Sequence, residues 1–209
     1  MDENLLNRLV DEVVRRIKED VFIEVEASGR HVHLTRAHVE ALFGKGHQLT
    51  PVKDLSQPGQ FACKERVTII GPKGKLSNVA VLGPERPETQ VEVSRTDARI
   101  LGIDAPIRES GHIENTPGII IASENAQIQT DKGTIIAMRH VHLTPEDARK
   151  FGVKDKDIVQ VKLFTDRKLI FDDVVVRVSD KYASYMHIDY DEANACNLGR
   201  KTLGRIIKQ

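Results

Sequence analysis

The chain of 209 residues contains no tryptophan, and aromatic residues make up only 4% of it. Acidic and basic residues balance at 31 each, and there are 2 cysteines. Each shortage excludes something. Scarce aromatics and zero formal charge argue against a nucleic-acid binder, which needs a basic footprint and stacking platforms. Cys63 and Cys196 lack Cys-x-x-Cys spacing, so a disulfide framework is not expected. They read as buried, inert thiols rather than nucleophiles. No apolar run reaches the length of a transmembrane helix, and no secretory signal pattern is present. A cytoplasmic protein with no membrane or nucleic-acid partner is the reading that follows.

What is present is a repeat. Arg-His-Val-His-Leu-Thr occurs at Arg30 to Thr35 and again at Arg139 to Thr144. Each copy places imidazoles at i and i+2, on one face of an extended strand. Histidine is the commonest metal ligand. Similar grammar recurs at Glu92 to Gly102 and at His187 to Gly199: strand, N-cap, short helix, glycine stop. Thr35, Ser94, Thr144 and Asp189 stand at the expected N-caps. Asp97, Asp147 and Glu192 follow three residues later, as in a capping box. Pro145 occupies a first helical position, and Gly44, Gly102, Gly152 and Gly199 stand where left-handed caps are expected.

The residue two places before each N-cap is metal-competent: His33, Glu92, His142 and His187. Adding His31 and His140 gives a donor set too large for one tetrahedral ion with an open position. It suits two metals, His31, His33 and Glu92 holding one and His140, His142 and His187 the other. His38, His47 and His112 lack this context and read as surface residues. Asp104, Asp131 and Asp155 read as turn residues.

The rest organises around that repeat. Leu5, Leu6, Leu9, Val10, Val13, Val14 and Ile17 recur at helical spacing, which predicts an amphipathic helix over Asp2 to Glu19. Beyond it the chain reads as short strands with turn signals such as Gly71-Pro72-Lys73-Gly74 and Thr165-Asp166-Arg167. The fold class expected is mainly β: tandem pseudo-symmetric β-barrels capped by short helices, plus the N-terminal helix. The boundaries expected are 1–20 for the helix, 21–112 for the first barrel and 113–209 for the second, with a connector near Arg108 to Pro117. Gly83-Pro84-Glu85-Arg86-Pro87 forms a rigid loop before Glu92, and its guanidinium is suited to gripping phosphate.

The chain resembles the PduL-type phosphate acyltransferases, the phosphate propanoyltransferases of bacterial microcompartments such as those of propanediol degradation. The resemblance spans nearly the whole length. It rests on Ser28 to Leu34, Gln57-Pro58-Gly59-Gln60, Gly71 to Gly74, Gly83 to Arg86, Gln90 to Arg99, Arg139 to Leu143, Met186 to Asp189 and Asp191 to Asn194. It implies a two-zinc site on the six ligands named above, phosphate held by Arg86, and coenzyme A contacts at Ala27, Ser28, Gly29, Lys73 and Asn194. Ala80 stands where some relatives carry an arginine that helps hold the cofactor, and Gly29 replaces an asparagine. The leader resembles an encapsulation peptide, which implies shell or cargo proteins as partners of residues 1–19, self-association, and a place inside a microcompartment in the bacterial cytoplasm. The expected reaction joins propanoyl-CoA or acetyl-CoA with phosphate to give acyl phosphate and coenzyme A. A two-zinc hydrolase and a non-catalytic, zinc-stabilised shell-associated protein are the alternatives.

Overall fold

The computed structural model describes residues 3–207. In chain order these form α1 (Glu3–Val21), β1 (Ile23–Ala27), β2 (His31–His33), α2 (Arg36–Phe43), β3 (Pro51–Asp54), β4 (Phe61–Ile70), β5 (Lys75–Gly83), β6 (Gln90–Glu92), α3 (Arg95–Leu101) and β7 (Ile107–Arg108). There follow β8 (Ile120–Ala122), β9 (Gln127–Gln129), β10 (Thr134–Ala137), β11 (His140–Leu143), α4 (Pro145–Phe151), β12 (Ile158–Leu163), β13 (Ile170–Val178), β14 (Tyr185–Ile188), α5 (Tyr190–Ala195) and β15 (Thr202–Ile207). The fold is mainly β, as the turn-punctuated sequence requires.

Two compact units divide these elements, and neither is a continuous half of the chain. One takes in the chain up to Ala27, Arg139–Ile188 and everything from Glu192 on; the other is Ser28–Met138 with Asp189–Asp191. The units therefore do not coincide with a split into 21–112 and 113–209. The reason is a reciprocal exchange of strands. β1 precedes the first His-x-His strand in sequence, yet it pairs in parallel with β14, with Glu26 opposite His187. β10 precedes the second, yet it pairs in parallel with β6, with Ile135 opposite Glu92.

The first unit closes into a barrel in the order β1-β14-β11-β13-β12-β15. Its strands alternate inward and outward: Ile23 and Val25 of β1, Val159, Val161 and Leu163 of β12, and Val174 and Val176 of β13 are buried together. β15 supplies the closing ladders to β1 and β12, a strand that the sequence reading passed over. β13 runs unbroken through Asp173, which takes positive φ.

The second unit is a curled, nine-stranded sheet in the order β7-β10-β6-β2-β5-β4-β8-β9, with β3 on β4. Local pairings repeat those of the barrel: β2 is parallel to β5 and antiparallel to β6, as β11 is to β13 and β14. Closure differs because β8 occupies the edge of β4 that corresponds to the β12 edge taken by β15. Its core is Val32, Leu34, Ile69, Val81, Leu101 and their neighbours.

The caps hold the helices where the sequence puts them. Thr35, Ser94 and Thr144 each accept from the backbone N–H three residues on, and Ser94 with Asp97 completes a capping box. Gly102 and Gly152 are left-handed caps. Gly44 has positive φ outside that region. Gly199 does not take the left-handed conformation; Asn197, at φ 51°, does so after α5, and asparagine is the usual substitute for glycine there.

Gly118 is a close-approach position. A Cβ there would lie 1.8 Å from the carbonyl oxygen of Thr130, whereas at Gly199 the nearest atom would be 3.8 Å away. Gly118→Ala should destabilise by about 2–3 kcal/mol, because backbone must move to admit the methyl. Thermal unfolding should show a Tm lower by roughly 5–10 °C, with Gly199→Ala nearly unchanged. Equal Tm values for the two variants would refute the packing argument.

Candidate metal centre

The sequence spaces two imidazoles on each His-x-His strand; pairing with the next strand adds the third donor. His31 lies directly opposite Glu92 across the β2/β6 ladder, and His33 opposite Gln90. Opposed residues in an antiparallel pair project from the same face. His31 Nε2 and Glu92 Oε2 are 3.5 Å apart. The donor atoms of His31, His33 and Glu92 all lie within 4.8 Å of one another, and all three residues are buried.

Their remaining polar atoms tell which atoms face inward. His31 Nδ1 is 2.8 Å from the Gly29 carbonyl oxygen, so that nitrogen carries the proton and Nε2 is left as the donor. This commits the carbonyl of Gly29, a residue the resemblance places at coenzyme A, to orienting the His31 ring. The ring of His33 finds the Leu82 backbone, while its Nδ1 is buried with no hydrogen-bond partner. A buried, unpartnered ring nitrogen beside a carboxylate is the arrangement a cation completes.

Electrostatics sharpen the contrast within the trio. Burial opposes a charge on His31, but Glu92 and the Gly29 carbonyl outweigh it and raise the imidazole above its ordinary value. Burial, His31 and Arg86 push His33 well below. Burial also opposes the charge on Glu92, yet the two histidines and the Ser110 hydroxyl hold its carboxyl well below the usual range.

The second trio follows the same register. His140 lies opposite His187, and His142 opposite Tyr185. Ring centroids are 4.6 Å apart for His140–His142, 5.3 Å for His140–His187 and 5.2 Å for His142–His187. His142 Nδ1 is likewise buried without a partner. Burial, followed by the proximity of His140, His187 and Arg177, lowers this imidazole to about 2, which keeps it neutral and able to donate. The Tyr182 ring lies 4.3 Å from that of His142, and Arg177 reaches the Tyr182 hydroxyl.

The supporting contacts repeat between the units. Arg30 bonds to Asp97 at 2.7 Å and Arg139 to Glu192 at 2.8 Å. The arginine beginning each repeat thus ties its strand to the helix that follows Glu92 or His187. Thr35 N–H donates to Thr89 Oγ1, and Thr144 N–H to Ser184 Oγ, at equivalent positions.

Arg86 lies in the loop after β5. Its backbone N–H donates to the Leu34 carbonyl at 2.9 Å, and its guanidinium reaches Ser110 Oγ at 3.3 Å. Ser110 in turn donates to Glu92 Oε1 at 2.9 Å. The guanidinium is therefore one hydroxyl away from the metal-competent carboxylate. Ser110 and Gln90 were missed in the sequence. Gln90 could have been found from its i, i+2 relation to Glu92; Ser110 lies in a stretch that read as a domain connector.

Other assigned residues fall at the edges. Ala27 ends β1 opposite Ile188, and Ser28 and Gly29 lead into β2. Lys73 is exposed in the β4/β5 turn, its N–H bonded to the Leu101 carbonyl. Asn194 is exposed on α5. Ala80 lies opposite His31 on β5. His38 and His47 are partly buried and hydrogen-bonded to Thr89 and Glu65; His112 is exposed. Asp155 accepts from the Val178 N–H as a turn residue would.

The family model described as phosphate propanoyltransferase matches residues 24–199. The chain belongs to the phosphate propanoyltransferase family. A phosphate propanoyltransferase of Clostridioides difficile (strain 630) is 59% identical over 207 residues, covering 99% of each chain. One of Enterococcus faecalis (strain ATCC 700802 / V583) is 60% identical over 205 residues, 97% of each. One of Thermotoga maritima is 54% identical over 200 residues, 95% of each. Family members are phosphate acyltransferases, so the chain is an enzyme of that type. Arg86, Glu92 and both His-x-His pairs all fall inside the matched residues.

The raised His31 predicts a proton count. Metal binding must displace any proton held at Nε2. In the metal-free protein Glu92 favours the protonated form of His31, whereas burial favours the neutral form of His33. Zinc added at pH 6.5 should therefore release protons into weak buffer, and His31→Ala should release fewer. Equal release from both proteins would contradict the His31–Glu92 coupling.

Proposed function

We propose that this protein catalyses the reversible reaction of a short-chain acyl-CoA, propanoyl-CoA or acetyl-CoA, with phosphate to give acyl phosphate and coenzyme A. The observation that carries this reading is Arg86, joined through Ser110 to a buried His/Glu cluster. A guanidinium beside cation-binding residues is suited to a small, multiply charged oxyanion.

His31, His33 and Glu92 would hold one zinc ion, and His140, His142 and His187 a second. The orphaned nitrogens of His33 and His142 fit that assignment. Zinc supplies Lewis acidity, which offsets the charge of the phosphate and of the oxygen developing on the acyl carbon. Arg86 grips phosphate and aims one oxygen at the thioester carbonyl carbon. That oxygen adds, the tetrahedral carbon collapses, the C–S bond breaks and coenzyme A leaves as its thiolate. Holding two anionic reactants in line is the main contribution asked of the protein.

No acyl-enzyme is required. Cys63 and Cys196 are buried, and burial raises both thiols, Cys63 to about 11. Neither offers a thiolate near neutral pH. Coenzyme A would lie along Ala27, Ser28 and Gly29, with Lys73 and Asn194 at its phosphates and amides. Ala80, opposite His31, contributes no charge to that grip.

Incubation with propanoyl-CoA should release free thiol only when phosphate is present. Release without phosphate would mean a hydrolase, and zinc-loaded protein with no turnover would mean a non-catalytic role. Arg86→Ala should lose about 2–4 kcal/mol of transition-state stabilisation, roughly 30–1000-fold in kcat/KM for phosphate. Its zinc content should not change. Unaltered phosphate kinetics in Arg86→Ala would remove it from the site.

Residues 1–19 are proposed to dock on microcompartment shell or cargo protein, which would place the enzyme in a shell in the bacterial cytoplasm. On α1, Leu6, Leu9, Val10, Val13 and Val14 are exposed; the side chains of Leu5 and Ile17 lie outside the described residues. An apolar stripe presented to solvent fits a groove-binding helix and also self-association. Deletion of residues 2–19 should leave turnover nearly intact and reduce self-association. The same segment fused to a fluorescent protein should collect on co-expressed shells. A diffuse fusion beside intact shells would end the encapsulation reading.

A further inference from the structure

Glu92 is the one carboxylate among the proposed ligands, and it is not free to turn. Its Oε1 accepts from Gln90 Nε2 at 2.7 Å and from Ser110 Oγ at 2.9 Å. Its Oε2 is the oxygen near His31 Nε2, at 3.5 Å. Gln90 is 2% exposed, and every polar atom of its side chain is used. Nε2 also donates to Ser110 Oγ at 2.9 Å, and Oε1 accepts from the Gly111 N–H at 2.8 Å. Flipping the amide would set oxygen against carboxylate and N–H against N–H, so the partners fix its orientation.

We infer that Gln90 is a positioning residue that makes Glu92 a one-oxygen metal ligand and locks the Ser110 loop between that ligand and Arg86. The inference rests on the metal reading above. A carboxylate can bind a cation through one oxygen or two. With Oε1 occupied by two donors, Oε2 alone remains, and its direction is set. Imidazole has no such ambiguity, because its ring offers one nitrogen once the other is bonded. The second cluster agrees: its third donor is His187, and the register position of Gln90 is taken there by Tyr185. The same network reaches the phosphate grip. Ser110 Oγ accepts from Arg86 at 3.3 Å while donating to Glu92, and Gly111 anchors its loop on Gln90.

Two substitutions separate orienting from mere support. Gln90→Leu removes all three hydrogen bonds. Gln90→Glu keeps an acceptor for the Gly111 N–H but replaces the donor facing Glu92 with a repelling oxygen. Chelator competition on the full chain should show two zinc-binding steps. One should weaken about 10–100-fold in both variants, as loss of a ligand's hydrogen-bond partner does, and the other should stay unmoved. With cobalt in place of zinc, the absorption of the affected site should shift. If Gln90→Leu fails to fold, Gln90→Glu decides alone. Wild-type affinities and cobalt spectrum in Gln90→Glu would overturn the inference while leaving the metal centre standing. A wild-type chain that takes up no metal would overturn both.

Discussion

Both clusters depend on antiparallel register. His31 meets Glu92, and His140 meets His187, because β2 pairs with β6 and β11 with β14 in the same alignment. Side chains alternate along a strand, so a slip of one residue would turn every donor of one strand to the opposite face. The buried apolar residues flanking each donor, Val32 and Val91 in one ladder and Val141 and Met186 in the other, resist that slip. Placing them outward would cost about 1.5–3 kcal/mol each. The same apolar alternation that builds the core therefore aims the clustered imidazoles and Glu92.

The exchanged strands add a second constraint. β10 flanks β6 and β1 flanks β14, so each third-ligand strand is held on both edges and has no free edge along which to slide. The Arg30–Asp97 and Arg139–Glu192 pairs reinforce the arrangement. Asp97 is buried and also caps α3, so its charge is doubly committed, and a lone buried carboxylate would be costly. A single side chain there serves helix, strand and cluster.

The clusters are alike in backbone and unlike in chemistry. Around Glu92 stand polar donors, Gln90, Ser110 and Arg86. Around His142 stand Tyr182 and, beyond it, Arg177. Burial opposes charge on every one of these imidazoles; beside Glu92, His31 is raised in spite of it, while His33 and His142 are driven down. One scaffold, repeated, thus presents a carboxylate-containing trio beside a guanidinium and an all-imidazole trio.

Much was legible in the chain alone. The duplicated Arg-His-Val-His-Leu-Thr, the threonine and serine caps and the period of α1 are local properties, set by side-chain chemistry at fixed spacing. They determined the metal-competent side chains, the short helices and the family resemblance. The repeat suggested which donors group together, but the strand pairings that bring them together were not local. That Glu92 lies opposite His31, that Ser110 returns from a presumed connector to join them, that β1 and β10 change units and that β15 closes the barrel all depend on pairings between residues far apart in sequence. Such pairings are chosen by burial and ladder hydrogen bonding of the folded whole, and no periodicity in the chain encodes them.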